Sequence, residues 1–504
     1  PFFVPGPESG PLPASRPDVI LAPSPAYQLY WIRSAHELKE ALMSTLRRLF
    51  RRIIRPPVLI LLPLVLSLPE LFASPAGQSP ALAALSTEDW MRDLDVLAAE
   101  LPARHKNLFA GISEAEFLGL VQAIKKDLPS LHPDEIIVRL MALVAAVGDS
   151  HTTLGYRAQR GIPLMTGWFK DGIHVLNTTG PNRALLHGRI TAVGGRPLEE
   201  VIPLLASVIP HENEAQVRNQ LPNLLVDTAI LHGLGLVPSP ESAPLTVTTP
   251  AGDRLTVEMT PLPFTSDPGW IVEPGDESGA PLYLRNRRLY YWFEIMEDSK
   301  TLFFKYNSCR EMKGEPFGVF VREMFEASDA AGVERIVVDL RHNGGGNSGI
   351  FKPFLDELGK RPGLMQKGRI FVLVGRRTFS SAILNALDMK KETPAVFAGE
   401  PTGGKPNHFG EVRTFQLPNS KLAVTYSVKS FKVVEDDPDS LYPEILVEPT
   451  LRDYLEKADP VLEAVLRRAG PLPVKNPGGP PDRLRQASKT NLKRIGKAAE
   501  DALK

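Results

Sequence analysis

Residues 369–406 read RIFVLVGRRTFSSAILNALDMKKETPAVFAGEPTGGKP, and the fold turns on how this stretch is read. The apolar run 370–374 is too short for a helix and rich in β-branched residues, so it reads as a buried strand. Residues 375–378 break the run, and 380–391 reads as a helix with Ala382, Leu384 and Leu387 available for packing. Ser380 and Ser381 therefore stand at a strand-to-helix junction, where the first N–H groups of the helix have no internal partner and point at whatever lies in front. A second short strand, 395–398, runs into GEPTGGKP, a glycine-rich loop that ends in Lys405. Taken alone, a serine opening a helix is an N-cap and a lysine in such a loop is solvated.

A third segment changes the balance. Residues 335–348 read RIVVDLRHNGGGNS, another buried-strand run that leads through Arg341 and His342 to Asn343 and a run of glycines. Glycines after a strand let the backbone approach a ligand and turn its N–H groups outward. The GxGxxG spacing of dinucleotide sites and their downstream acid are missing. An oxyanion hole fits better, because donors aimed at a developing negative charge need this kind of backbone.

With DLRHNGGG, TFSSA and GEPTGGK in this order, the chain resembles the C-terminal processing (tail-specific) serine peptidases, peptidase family S41. GDSHTTL at 148–154 and the phrase RITAVGGRPLEEV at 189–201 extend the resemblance over residues 85–466. It implies an α/β fold: a ClpP/crotonase-like catalytic core with an N-terminal helical cap and a PDZ-like β-rich module. It also implies a secreted serine-type endopeptidase working through an acyl-enzyme, with no cofactor and no metal. Carried over residue by residue, the nucleophile falls on Ser380 and the general base on Lys405. The oxyanion donors fall on the backbone of Gly345 or Gly346 and on the Ser381 N–H. In the tricorn-like branch of the family a Ser-His pair belongs to the catalytic group, which makes His151 an alternative base and Ser150 its support. Processing peptidases commonly carry a glutamate three residues after the nucleophile; here that position is Ile383. The PDZ-like phrase also lacks an obvious carboxylate-binding loop ahead of it.

The chemistry wanted is acyl transfer. A serine is a weak nucleophile until a base takes its proton, and a lysine serves only when burial depresses its pKa. A histidine titrates near neutrality without help. Asp149-Ser150-His151 has a plain reading too, as a turn whose Asp and Ser bond backbone around a structural His. A zinc reading of Asp149 and His151 is weaker, since no second His or Cys follows at ligand spacing. Two other functions stay open: an esterase or other acyl hydrolase on the same nucleophile, and a non-catalytic peptide-binding protein built around the PDZ-like module.

The 504 residues exceed one core and suggest several domains. Lys plus Arg equals Asp plus Glu at 58 each, so nothing in the charge argues for a nucleic-acid or acidic partner; the partner that the resemblance implies is a polypeptide substrate. The single cysteine, Cys309, excludes an internal disulfide. Residues 1–42 are Pro-rich and aperiodic, a disordered or upstream extension. Residues 43–76 have the secretory layout: arginines 47–55, an apolar run 58–68 interrupted by Pro63, then small residues. This implies a secreted or periplasmic protein, with an uncleaved anchor as the alternative and the sole route to a membrane. The helical cap spans 77–160, the PDZ-like module 161–265 with a helical insertion near 211–236, and the catalytic core 280–468. A Pro/Gly linker and basic tail, 469–504, follow. The oligomeric state is not legible.

Overall fold

The computed structural model describes residues 82–272 and 279–468. The expectations for 1–42, for the signal-like 43–76 and for the tail 469–504 lie outside the described residues. Every described residue belongs to the compact unit that begins at Gly77. The architecture is mixed α/β, with several sheets and helices.

Ile370–Val374 lies inside a six-stranded sheet, in the order Tyr291–Met296, Thr301–Tyr306, Arg335–Asp339, Ile370–Val374, Val396–Gly399, Ile445–Leu446. The first pair is antiparallel and the rest are parallel. Parallel neighbours need crossovers, which the helices Phe317–Ala330, Lys352–Gly359 and Ser381–Glu392 supply. Both central strands are buried along their whole length, as expected where each face of a parallel sheet is covered. The period of two divides them cleanly. Ile336, Val338, Ile370 and Val372 pack with Phe317, Phe351 and Phe354 on one face. Val337, Phe371 and Leu373 pack with Val461, Leu462 and Val465 of the Pro460–Arg468 helix on the other. A buried ion network closes this second side. Arg341 bridges Asp339 at 2.7 Å and Asp459 at 2.8 Å, and Lys305 lies 3.1 Å from Asp339. Burial pushes the Lys305 amine down to about 8. Removing one member would strand a buried charge, at a cost of about 3–5 kcal/mol.

Three strands leave this sheet at the same edge. Arg335–Asp339 feeds the glycine loop 341–346, Ile370–Val374 feeds the Ser380 turn, and Val396–Gly399 feeds GEPTGGK. The carboxyl ends of parallel strands are where such sheets bind ligands.

The helices Thr87–Arg104, Glu114–Asp127 and Pro133–Ala145 each start with a capping box, at Ser86, Ser113 and His132. Their apolar faces join one core, through Trp90, Leu94, Leu97, Phe117, Val121 and Leu140. An antiparallel sheet follows, Met165–Phe169, Gly172–Asn177, Arg189–Val193, Ala243–Thr248 and Arg254–Met259, with the helices Leu198–Ala206, Glu214–Leu224 and Thr228–Gly233 inserted before its last two strands. No described helix is long and apolar enough to cross a membrane.

The segment after Lys405 differs from the sequence reading. In the sequence, 422–428 reads as a strand, which 431–434 continue after Ser430. The structure has one strand, Ala423–Phe431, paired with an unforeseen partner, His408–Gln416. The hairpin leaves the parallel sheet and pairs with Thr153–Gly155. Leu417, Leu422, Val424 and Tyr426 enter the core of the N-terminal helices. Asp93, buried in the first helix, accepts the backbone N–H groups of Asn419 and Ser420 at 2.8 and 2.7 Å. This pairing brings GDSHTTL and GEPTGGK to the same place.

Candidate active site

Ser380 occupies a sharp turn. Its φ of 53° and ψ of −128° place a non-glycine residue at positive φ, a conformation that persists only where its surroundings enforce it. The enforcement is local. Thr378 Oγ donates to the Leu340 carbonyl at 2.9 Å, and Phe379 N–H donates to the Asn343 carbonyl at 3.0 Å. Ser381 Oγ donates to the Gly346 carbonyl at 2.7 Å. Gly345, at φ 106°, lies so close that a Cβ there would sit 2.7 Å from Ser380 Cβ and 3.0 Å from Ser381 N. Gly346, at φ 137°, would place a Cβ 2.3 Å from the Cys309 carbonyl oxygen. The glycines are therefore required by close approach as well as by backbone angle.

The expected oxyanion donors separate here. Ser381 opens the Ser381–Glu392 helix, and its N–H makes no hydrogen bond among the described residues. The Gly346 N–H is likewise open. The Gly345 N–H is spent on Asn343 Oδ1 at 2.9 Å. Gly345 thus supplies room and Gly346 a donor. Ser380 Oγ itself has no hydrogen-bond partner among the described residues.

His151 approaches the turn from the other core. Its ring stacks on Phe379, with centroids 4.4 Å apart and planes 26° apart, and on His408 at 5.5 Å. The ring is buried, yet neither nitrogen has a hydrogen-bond partner. Burial pushes its pKa down to about 4, with His408 adding to the effect and Asp149 opposing it. Nδ1 is the nitrogen nearer Asp149, 3.8 Å from Oδ1.

Asp149 holds the segment in place. Its carboxylate accepts from Ser427 Oγ and Thr152 Oγ1 at 2.6 Å each, from the His151 N–H at 2.9 Å and from His105 Nε2 at 3.0 Å. Burial alone would raise its pKa, but these donors outweigh it and hold the carboxyl at about 2. His105 Nδ1 accepts from Asn107 N–H, which leaves Nε2–H to donate. A carboxylate so occupied has little left for a metal, which removes the zinc reading of Asp149 and His151.

Lys405, the expected base, closes the glycine loop. Gly403 and Gly404 do bring its loop onto the turn, since a Cβ on Gly404 would meet Ile383 at 2.7 Å and the Phe379 Cα at 3.1 Å. The amine, however, has a partner of its own. Lys405 Nζ donates to Asp437 Oδ2 at 2.7 Å, and its side chain is 22% exposed. To act as a base the amine would have to give up this partner, and a lysine base also needs burial to depress its pKa. No hydrogen bond joins Lys405 to Ser380. Ser150 Oγ instead donates to Glu212, a residue the sequence reading did not single out. Burial pushes the Glu212 carboxyl up to about 7; Asp149 and Asp437 add to this, while Ser150 and Lys405 oppose it.

His408 was also missed, although only Asn407 separates it from GGKP. Its Nδ1–H donates to the carbonyls of Lys405 and Pro406 at 2.9 and 3.2 Å, and its ring stacks between His151 and Phe431. Its apolar-polar setting reads as an ordinary strand start, so only the stacked partner reveals its place.

Against known proteins, no family model and no curated protein sequence matches the chain. Among solved structures it is similar to mature CPAF complexed with lactacystin, at 15% identity and TM-score 0.54, over 76% of this chain and 98% of that one. A second structure of mature CPAF aligns at 15% identity and TM-score 0.53, over 77% of this chain and 99% of that one. CPAF is a peptidase of family S41. The chain has the fold of the S41 peptidases.

Proposed function

We propose that this chain is a serine-type peptidase with Ser380 as nucleophile and His151 as general base. One observation carries the reading. A serine held at positive φ, beside open N–H groups of Ser381 and Gly346, faces the element that carries a buried imidazole with no partner of its own. Buried structural histidine nitrogens are satisfied, and those of His151 are not.

In this reading a ring nitrogen of His151, Nε2 by the position of Asp149, takes the Ser380 Oγ proton as Oγ bonds to the substrate carbonyl carbon. The carbonyl oxygen becomes an oxyanion between Ser381 N–H and Gly346 N–H, each donor worth about 3 kcal/mol in the transition state. The tetrahedral species collapses as His151 returns the proton to the leaving amine, and an acyl-enzyme remains on Ser380. Water then repeats the sequence, losing its proton to His151 and releasing the acid. The imidazole of the free enzyme is kept neutral by burial, so it is ready to accept a proton. Lys405 then acts at a distance: its charge bears on Glu212, and its pair with Asp437 ties the 434–437 loop beside the site.

Peptides rather than esters are favoured by the likeness to CPAF and by the antiparallel sheet at 165–259, which we read as a PDZ-like module able to hold an extended chain. The parallel sheet and its crossover helices are read as the ClpP/crotonase-like core. The signal-like layout of 43–76 supports secretion to the cell envelope. Labelling of the full chain with a fluorophosphonate probe tests the assignment. Covalent label on Ser380, absent from Ser380→Ala, is expected; an unlabelled wild-type chain, or label elsewhere, overturns it. Hydrolysis of peptide bonds separates a peptidase from an enzyme that hydrolyses simple esters alone.

A further inference from the structure

Three further ligand-type side chains converge where the Pro133–Ala145 helix begins against the Thr228–Gly233 helix. One ligand atom from each of His132, Asp134 and His232 lies within 4.8 Å of the other two. His232 Nδ1 is 2.8 Å from Asp134 Oδ2, and His132 Nδ1 is 3.4 Å from the same oxygen. The two rings meet edge to face at 4.8 Å and 77°. We infer that these residues form a binding site for one divalent transition-metal ion of the zinc class.

The backbone beneath is fixed by close packing. A Cβ on Gly233 would sit 2.4 Å from the Asp134 carbonyl oxygen, so the two helices touch main chain to main chain. The charge there is unbalanced. Asp227, buried at the start of the Thr228–Gly233 helix, is near enough for its carboxylate and that of Asp134 to bear on each other. Among the described residues neither carboxylate pairs with a lysine or arginine, and Asp134 has only the two histidines.

The donor set selects the ion. Two imidazoles and one carboxylate suit zinc, cobalt and nickel, whereas calcium and magnesium ask for oxygen throughout. Three protein ligands leave a fourth position for water. Zinc–nitrogen bonds of about 2.0–2.1 Å put tetrahedral ligand atoms about 3.3 Å apart, so the ligand atoms must draw closer than they now lie. The Asp134–His232 pair is already within that spacing, and the His132 side chain, 50% exposed, is free to turn. One interaction competes. His132 Nδ1 accepts the Asp134 N–H at 3.2 Å as the helix cap, and that lone pair cannot serve the ion and the cap together. The other half of the box, His132 N–H to Glu135 at 2.7 Å, is untouched. The bound ion would clip the start of the helix that leads to Asp149 and His151 onto the 228–233 insertion. Its role is structural, and no step of the proposed hydrolysis passes through it.

The test uses the untagged full chain, stripped with a chelator and titrated with Co²⁺ and Zn²⁺. Expected are one equivalent bound by equilibrium dialysis, visible d–d absorption from Co²⁺ in a four- or five-coordinate site, and a melting temperature raised by several degrees with Zn²⁺. His132→Asn keeps an N-cap acceptor while removing the ligand, and His232→Gln removes the second. Each single variant should bind more weakly, and the pair together should lose the equivalent, the absorption and the thermal shift. Absence of stoichiometric binding to the wild-type chain overturns the proposal. So does binding or a thermal shift of wild-type size in the double variant.

Discussion

Two loops meet at the Ser380 turn, and they are built in opposite ways. In residues 149–152 Asp149, Ser150 and Thr152 are buried, with Asp149 occupied by donors from Ser427, Thr152, His151 and His105, and the segment delivers an imidazole with nothing to bind. Residues 399–408 carry the stronger sequence motif, yet their lysine reaches outward to a carboxylate that is 63% exposed. The difference teaches that a motif fixes where a loop goes, whereas burial decides which side chain has a lone pair to give.

The largest expected effect removes what both loops serve. Ser380→Ala should lower kcat/KM by about 10⁴-fold or more with the fold intact. Ser381→Ala keeps its backbone N–H and loses one hydrogen bond, to the Gly346 carbonyl, so it should cost about 1 kcal/mol of stability and under tenfold in rate. Equal losses in the two variants would undo the assignment.

Next comes the contact on which the turn rests. Gly345→Ala puts a methyl 2.7 Å from Ser380 Cβ at a φ of 106°. Displacing a nucleophile by about 1 Å is worth about 10²-fold, and kcat should carry that loss. An unchanged kcat would mean that the glycine loop does not hold the serine.

Smaller effects sharpen the contrast between the loops through pH. The folded His151 pKa lies near 4, below its ordinary 6.5, so the unfolded chain binds more protons between these values. Stability from this group is therefore present above pH 6.5 and lost as pH falls through about 4. Glu212 runs the other way. Its carboxyl is raised from 4.5 to about 7, so its contribution is present below pH 4.5 and lost as pH rises through about 7. Glu212→Gln should abolish that upper loss in denaturant melts taken between pH 5 and 8. An unaltered pH slope would show that Glu212 is not held protonated beside Ser150.

Much of the fold was legible because its signals are local. The strand at 370–374, the glycine loop after Asp339 and the capped starts at Ser86 and Ser113 each follow from a few adjacent residues. The hairpin of His408–Gln416 and Ala423–Phe431 was not, because its first strand is largely exposed and lacks a clean period of two. Its pairing with Thr153–Gly155 spans the chain, and that pairing alone brings His151 to Phe379. Glu212 and His408 escaped for the same reason: each gains its meaning from a partner distant in sequence. Lys405 was read from its motif, whereas its amine is paired with Asp437, 32 residues further on.

The central claim is that His151, and not Lys405, takes the serine proton, and kcat/KM of the two alanine variants across pH tests it most directly. The account predicts that His151→Ala loses about 10³-fold or more. Lys405→Ala, giving up a partly exposed ion pair worth about 0–1 kcal/mol, should stay within about fivefold of wild type. The acid limb of the wild-type profile should fall near pH 4, where the buried imidazole of the free enzyme gains its proton. A Lys405→Ala enzyme that is dead beside an active His151→Ala enzyme, with a limb above neutral pH, would contradict the account.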